Sequence, residues 1–265
     1  MDGLAVEREN GILRITLNRP EAGNVVTPAM AQGLTALFRA LREDEETRVV
    51  VLRGNGRHFC EGADLRDAAA LLRAPAPARA AMVREVAGQV AAPLFLALHQ
   101  VPQPVLVSTR GHVTGAALQF VAAADLVIAA ETSRFSAPQI KQAHTADHGE
   151  SWHLPRKLGL ARALRLCLLG ERLDAAQAER YGLVTWVVPD ATLEKRTAVI
   201  AAQLAATPPV ALRGMKALLR QSLHCTAEEQ LALEAEMLGL CAAQEDFIEA
   251  IRARLEKRQP DFSDA

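Results

Sequence analysis

The chain is poor in cysteine and spreads the few it has. Cys60, Cys167, Cys225 and Cys241 are widely separated, with no CxxC spacing. They read as reduced thiols in a cytosol-like compartment rather than as a disulfide framework. Long apolar runs are also missing: half of the residues are hydrophobic, yet none of the runs approaches the roughly 20 residues that span a bilayer. Met1-Asp2-Gly3 lacks a basic segment followed by an apolar one, so no secretory leader is expected. Charge of one sign is absent too, because the formal net charge is -1. A large nucleic-acid footprint is therefore not expected, although a small anionic ligand needs only a local basic cluster. The expectation is a cytoplasmic protein with neither a membrane nor a nucleic acid as partner.

What is present is an alternation of short strands and helices. A chain of 265 residues is long enough to bury a sizeable core as one large or two smaller units. Ile12 to Leu17 alternates apolar and polar residues and stops at Asn18-Arg19-Pro20. Thr27 and Pro28 predict a helix N-cap and first turn, with Met30, Leu34, Leu37, Phe38 and Leu41 as its apolar stripe. Val49 to Leu52 is continuously apolar, as a strand buried on both faces requires. Arg66 to Val90 is Ala-rich with Ala74-Pro75-Ala76-Pro77 in its middle, which predicts a mobile, lid-like surface segment between helical pieces. Thr207-Pro208-Pro209 is the clearest boundary. Beyond it the sequence reads as helical, with a capping box at Thr226 to Glu229 and a stripe of Phe247, Ile248, Ile251 and Leu255.

Two stretches carry the functional signal. Phe59 to Leu65 (FCEGADL) and Gly111 to Ala117 (GHVTGAA) each follow a strand and run through small residues into an apolar helix. Such junctions let another molecule approach the backbone, and the first helical N–H groups have no partner of their own. Two of them facing one cavity would form an oxyanion hole; otherwise they are ordinary strand-to-helix connections.

Taken together, Leu17 to Pro20 (LNRP), Val49 to Leu65 and Pro104 to Asp125 resemble the enoyl-CoA hydratase/isomerase (crotonase) superfamily in order and spacing. The likeness continues through Leu154 to Gly159 (LPRKLG), Ala178 to Val184 (AERYGLV) and Glu256-Lys257-Arg258. The resemblance implies an α/β fold, a ClpP-like spiral of ββα units over residues 1–199, with residues 200–265 as a helical trimerisation region. It implies trimers or dimers of trimers, and coenzyme A as part of the substrate rather than a separate cofactor. By resemblance the thioester oxygen lies between the N–H groups of Ala63 and Ala116, where the family usually has glycine at the second position. Arg19, Ala63, Asp64 and Leu65 match CoA-binding positions. Arg254 and Lys257 match positions that reach the nucleotide, although a solvated helix face explains them equally well.

The resemblance also locates the acid/base set. Its hydratases hold water with two glutamates, and this chain has Gln119 and Gln139 at those positions. A carboxamide orients water but neither takes nor gives a proton near neutral pH. Asp147 sits where isomerases of the ring-1,2-epoxyphenylacetyl-CoA and dienoyl-CoA types carry an aspartate, with Ala146 and His148 departing from their pattern. The same Asp147, three residues before Glu150, also fits a capping box, which would make it a helix cap with a lowered pKa. His144 and His148 are spaced i, i+4, which would suit a metal only on a helix. They are read instead as lining the acyl pocket with Gln119 and Gln139, and no metal is expected. His99 reads as a helix C-terminal histidine. The expected activity is an isomerase-type reaction of acyl-CoA metabolism, with Asp147, Ala63 and Ala116 as the catalytic set. Thioester hydrolysis, dehalogenation, decarboxylation and non-catalytic binding remain the alternatives.

Overall fold

The computed structural model describes residues 2–262, and the side chains of residues 65–68 lie outside that description. In chain order, β1 (Leu4–Glu9) and β2 (Ile12–Leu17) form a hairpin and α1 (Pro28–Ala40) leads to β3 (Val49–Gly54). Next come α2 (Ala76–Val86), α3 (Ala92–His99), β4 (Val105–Thr109), β5 (His112–Thr114), α4 (Ala116–Ala123), β6 (Leu126–Ala130) and β7 (Arg134–Ser136). The remainder is α5 (Glu150–Leu158), α6 (Leu160–Leu169), β8 (Arg172–Asp174), α7 (Ala175–Tyr181) and β9 (Trp186–Val188). Four helices close the chain: α8 (Leu193–Ala205), α9 (Pro209–Gln221), α10 (Ala227–Ala242) and α11 (Glu245–Glu256). The α/β class expected from the sequence is the one observed.

A six-stranded sheet runs β1-β2-β3-β4-β6-β9, antiparallel only at the first pair, and a three-stranded sheet runs β5-β7-β8. The hairpin closes through Asn10 and Gly11, both at positive φ (50° and 72°), as a tight two-residue connection demands. Both faces of the large sheet are covered. Leu13, Ile15, Val50, Leu52, Val105 and Val107 point into the main core, whereas Ile12, Val49, Val51, Leu106 and Ile128 pack under Leu193, Ile200 and Ala201 of α8. That two-sided burial is why β3 and β4 read as unbroken apolar runs.

Local chemistry sets several boundaries. Thr27 accepts a hydrogen bond from the Met30 N–H at 3.1 Å, and Pro28 occupies the first turn of α1. At α10, Thr226 and Glu229 form the reciprocal capping box. The surface position expected within Arg66 to Val90 is observed from Ala69 onward, and a break at Arg73 to Pro75 separates a 3-10 turn over Leu65–Leu72 from the helix that follows. Ala76 to His99 is one helical run of 24 residues, opened by Pro75 and Pro77. A π-turn over Ala87–Ala91 interrupts it just ahead of Pro93, whose ring nitrogen cannot donate to the α-helical ladder. This helix is long and apolar enough, by length and composition, to cross a bilayer. Its α3 half instead buries Leu94, Phe95, Ala97 and Leu98 in the protein core.

After α8 the chain leaves the core. The residue-199 boundary falls inside α8, and the break itself comes at Thr207 and Pro208. No residue of α10 is buried, and on α11 the buried residues are Asp246 and Ala253. Ile248, Ile251 and Leu255, expected as a packing stripe, are exposed, as are Leu231 and Leu238.

Candidate active site

The two small-residue turns are brought side by side. Cys60 and Val113 form a parallel bridge, with the Cys60 N–H donating to His112 O at 3.1 Å and the Thr114 N–H to Cys60 O at 3.2 Å. Gly62 (φ 108°) turns the first segment so tightly that a Cβ there would lie 3.0 Å from Thr114 O and 3.8 Å from the Ala116 nitrogen. Gly115 (φ 59°) turns the second segment into α4. Among the described residues, neither the Ala63 N–H nor the Ala116 N–H has a hydrogen-bond acceptor within the chain. The arrangement therefore offers two unspent main-chain donors from adjoining turns, which is what a developing oxyanion requires.

Behind these turns the loops are locked by buried polar bonds. Asn24 is fully buried and donates to Asn55 O and His58 O, both at 2.8 Å, while its Oδ1 accepts the Arg19 N–H. Arg19 pairs with Asp64 at 3.2 Å and donates to Val25 O, so its guanidinium braces the turn from within. The Leu65 side chain lies outside the described residues. Cys60 is buried and burial pushes its thiol up to about 12, so it serves as packing rather than as a nucleophile. All four cysteines are free.

The second half of the site follows from β7. Gly115 N–H donates to Ser136 O at 3.1 Å, which ties the Ala116 turn to the strand that delivers Gln139 three residues later. Gln139 Nε2 donates to Asp147 Oδ1 at 3.2 Å, and His148 Nδ1 lies 2.8 Å from the same oxygen. Burial alone would raise the Asp147 carboxyl, but His148, Gln139 and the charge of His144 together hold it below the usual aspartate value. Asp147 does not cap α5, correcting the capping-box expectation. Gly149, at φ 87°, occupies the cap position, and only the Asp147 carbonyl reaches the Glu150 N–H.

The four residues expected to line the acyl pocket divide. Gln119 is fully buried with both amide atoms unpartnered, Gln139 has an unpartnered Oε1, and half-buried His148 borders a cavity of about 360 Å³ with Phe95, Trp152 and His153. His144 stands exposed on its loop, bonded to Thr145 O and Gln142 Oε1. His144 and His148 share no helix, since His148 sits at φ 55° in the loop before α5. His99 ends α3, as expected, against Trp152 and His153. Arg254 and Lys257 are exposed, and neither makes an ion pair among the described residues.

Sequence reasoning did not single out Glu150 as a buried carboxyl. It is 1 % exposed, its Oε1 has no partner, and burial together with the Asp147 charge raises its carboxyl to about 7. The signal available was a glutamate in the loop-to-helix passage, which the capping-box pattern explained away. Five buried side-chain atoms left without a partner, among the described residues, belong to Gln119, Gln139, Glu150 and His153, whereas His148 Nδ1 meets Asp147. Gln139 and Glu150 are both bonded to Asp147, one by its side chain and one by its main chain, and unsatisfied polar atoms of this kind call for a polar ligand or water.

One cluster has the atoms for a metal. His58, Glu61 and His112 lie together, with His112 Nδ1 2.7 Å from Glu61 and the two rings stacked at 4.2 Å. His58 Nδ1, however, accepts the His112 main-chain N–H at 3.1 Å. Neutral His58 thus carries its proton on Nε2, the atom 3.9 Å from Glu61, and offers no lone pair there. The cluster fits a clamp across the backs of the two turns better than a metal site.

Known proteins resemble this chain over nearly its whole length. Residues 7–265 match the family model described as enoyl-CoA hydratase/isomerase. The chain is 34 % identical over 255 residues to a 1,2-epoxyphenylacetyl-CoA isomerase of Escherichia coli K12, covering 96 % of each protein. It is 35 % identical over 263 residues to a 2,3-dehydroadipyl-CoA hydratase of the same strain, covering 99 % of each. Among solved structures, an enoyl-CoA hydratase from Mycobacterium smegmatis superimposes with a TM-score of 0.89 at 30 % identity over 98 % of each chain.

Proposed function

The chain belongs to the enoyl-CoA hydratase/isomerase family, and on that premise we propose that it isomerises an acyl-CoA thioester, with Asp147 as the base. Names of relatives divide between hydratase and isomerase, so the choice rests on the residues of this chain. The observation that carries it is Asp147: the carboxylate is turned away from the α5 cap, held ionised, and fixed by Gln139 and His148. Gln119 and Gln139 supply carboxamides where hydration needs proton-transferring groups. In the proposed reaction the thioester oxygen rests on the N–H groups of Ala63 and Ala116. Asp147 removes a proton next to the carbonyl, the enolate charge collects on that oxygen, and a proton returns further along the chain. Each N–H aimed at the enolate oxygen is worth about 2.7–4 kcal/mol in such sites. Coenzyme A belongs to the substrate and no separate cofactor enters the scheme. Exposed Arg254 and Lys257 suit its phosphates. The apolar side chains left uncovered on α9, α10 and α11 support assembly of several copies.

The test is deuterium exchange. Wild-type protein and Asp147→Asn are incubated with a 3-enoyl-CoA in D2O, and the acyl carbons are followed by NMR. Double-bond migration with deuterium uptake in the wild type, lost by about 10²–10⁴-fold in the variant, is the expected outcome. Addition of water to a 2-enoyl-CoA at comparable rates in both proteins would overturn the isomerase reading.

A further inference from the structure

Glu150 is a carboxyl group shut away from water with nothing in the chain to hold it. It is the first residue of α5, 1 % exposed, and among the described residues its side chain has neither a hydrogen bond nor an ion pair. A buried carboxylate without donors is strongly disfavoured, so the group is neutral or meets its partner in a bound molecule. Its main-chain N–H bonds Asp147 O at 3.0 Å, which places the two carboxyl residues on one turn of backbone. Asp147 is not free to travel, since Gln139 and His148 both hold Oδ1.

We propose that Glu150 is a second catalytic carboxyl of this site, giving a proton to the far carbon of the acyl chain after Asp147 has taken one beside the thioester. The inference rests on the isomerase reading above. For a 3-enoyl thioester, Asp147 takes a C2 proton and the C–H electron pair enters the dienolate, whose charge lies on the thioester oxygen. Glu150 then donates its proton to C4 as the C3–C4 π pair forms the new C–H bond, leaving the double bond at C2–C3. On product release Asp147 gives its proton to water and Glu150 takes one from water, which restores the pair, and no other reactant is consumed. The environments agree with this division. Burial, aided by the Asp147 charge, raises Glu150 to about 7 despite its place at a helix N-terminus, whereas Asp147 is held low. The other titratable neighbours are His148 beside Asp147 and Cys167 of α6, whose thiol is itself raised to about 11.

The experiment is isotope tracing with 3-hexenoyl-CoA carrying deuterium at both C2 positions, turned over in ordinary water. With two carboxyl groups the wild-type product has solvent hydrogen at C4 and almost no deuterium there. Glu150→Gln is expected to isomerise about 10²–10⁴-fold more slowly, with deuterium now carried from C2 to C4, and Glu150→Asp to recover part of the solvent wash-in. Equal transfer of deuterium to C4 in wild type and Glu150→Gln, or an unchanged rate in that variant, overturns the proposal. An infrared titration reads Glu150 without turnover. A neutral carboxyl band present near pH 6 and lost by about pH 8 in wild type, and missing in Glu150→Gln, is expected. Glu150 already ionised near pH 6 overturns this proposal alone. Failure of the wild type to move any double bond, while that band titrates as expected, overturns the isomerase reading and the delivery step with it.

Discussion

Gln139 donates its side-chain N–H to Asp147 Oδ1 at 3.2 Å. The bond helps hold that carboxyl low against a burial that would raise it. Gln139→Glu replaces the donor with a second carboxylate, so the lowering bond is lost and like charges face each other. The acid limb of the pH–rate profile should move upward by about one unit or more, as measured by kcat against pH with a 3-enoyl-CoA.

Gly62 is expected to be irreplaceable in the first turn. At φ 108° a side chain is strained, and its Cβ would stand 3.0 Å from Thr114 O. Gly62→Ala should cost about 1–3 kcal/mol of stability. It should also lower kcat by about 10²–10³-fold through the displaced Ala63 N–H, with little change in KM. Thermal melts and steady-state kinetics on the same preparation separate the two effects.

Glu150 and His153 should tilt stability in opposite directions with pH. Burial raises Glu150 from 4.5 to about 7, so the folded state binds that proton more tightly. Its contribution is fully present below 4.5 and is lost as pH rises through about 7. Glu150→Gln should therefore gain melting temperature over wild type towards pH 8. Burial lowers His153 from 6.5 to about 4, so its contribution is present above 6.5 and is lost as pH falls towards 4. His153→Gln should remove that loss, as melts between about pH 4 and pH 7 will read.

Assembly should depend on α10. Leu231 and Leu238, seven residues apart on that helix, are 65 % and 62 % exposed in the single chain. Wild-type protein is expected to show a light-scattering mass several times 28.5 kDa. Leu231→Glu with Leu238→Glu should bring it to that of one chain. An unchanged mass would place the contact elsewhere.

Elements governed by neighbours in sequence were legible. Thr27-Pro28 and Thr226 to Glu229 set helix starts through bonds spanning three residues, and period-two burial fixed β2. The same reasoning went astray where a local pattern competed with a tertiary one. Asp147 and Glu150 have capping-box spacing, yet Gly149 takes the cap at φ 87°, which frees both carboxyl groups. Between Arg66 and Val90 the sequence reads as a mobile segment between helical pieces, whereas Pro75 and Pro77 open a helix that a π-turn over Ala87–Ala91 carries on to His99.

The sequence by itself determined β2 and β3, the starts of α1 and α10, the two glycine-containing turns and the carboxamides at 119 and 139, because each depends on residue type and near neighbours. Only the tertiary structure decided that Cys60 lies beside Val113, so that two turns far apart in the chain present their N–H groups together. It also decided that Gln139 meets Asp147, and that Glu150 is enclosed without a partner. Those are properties of burial and proximity between distant segments. A carboxyl group acquires its proton affinity from what surrounds it, and its surroundings exist only once the chain has folded.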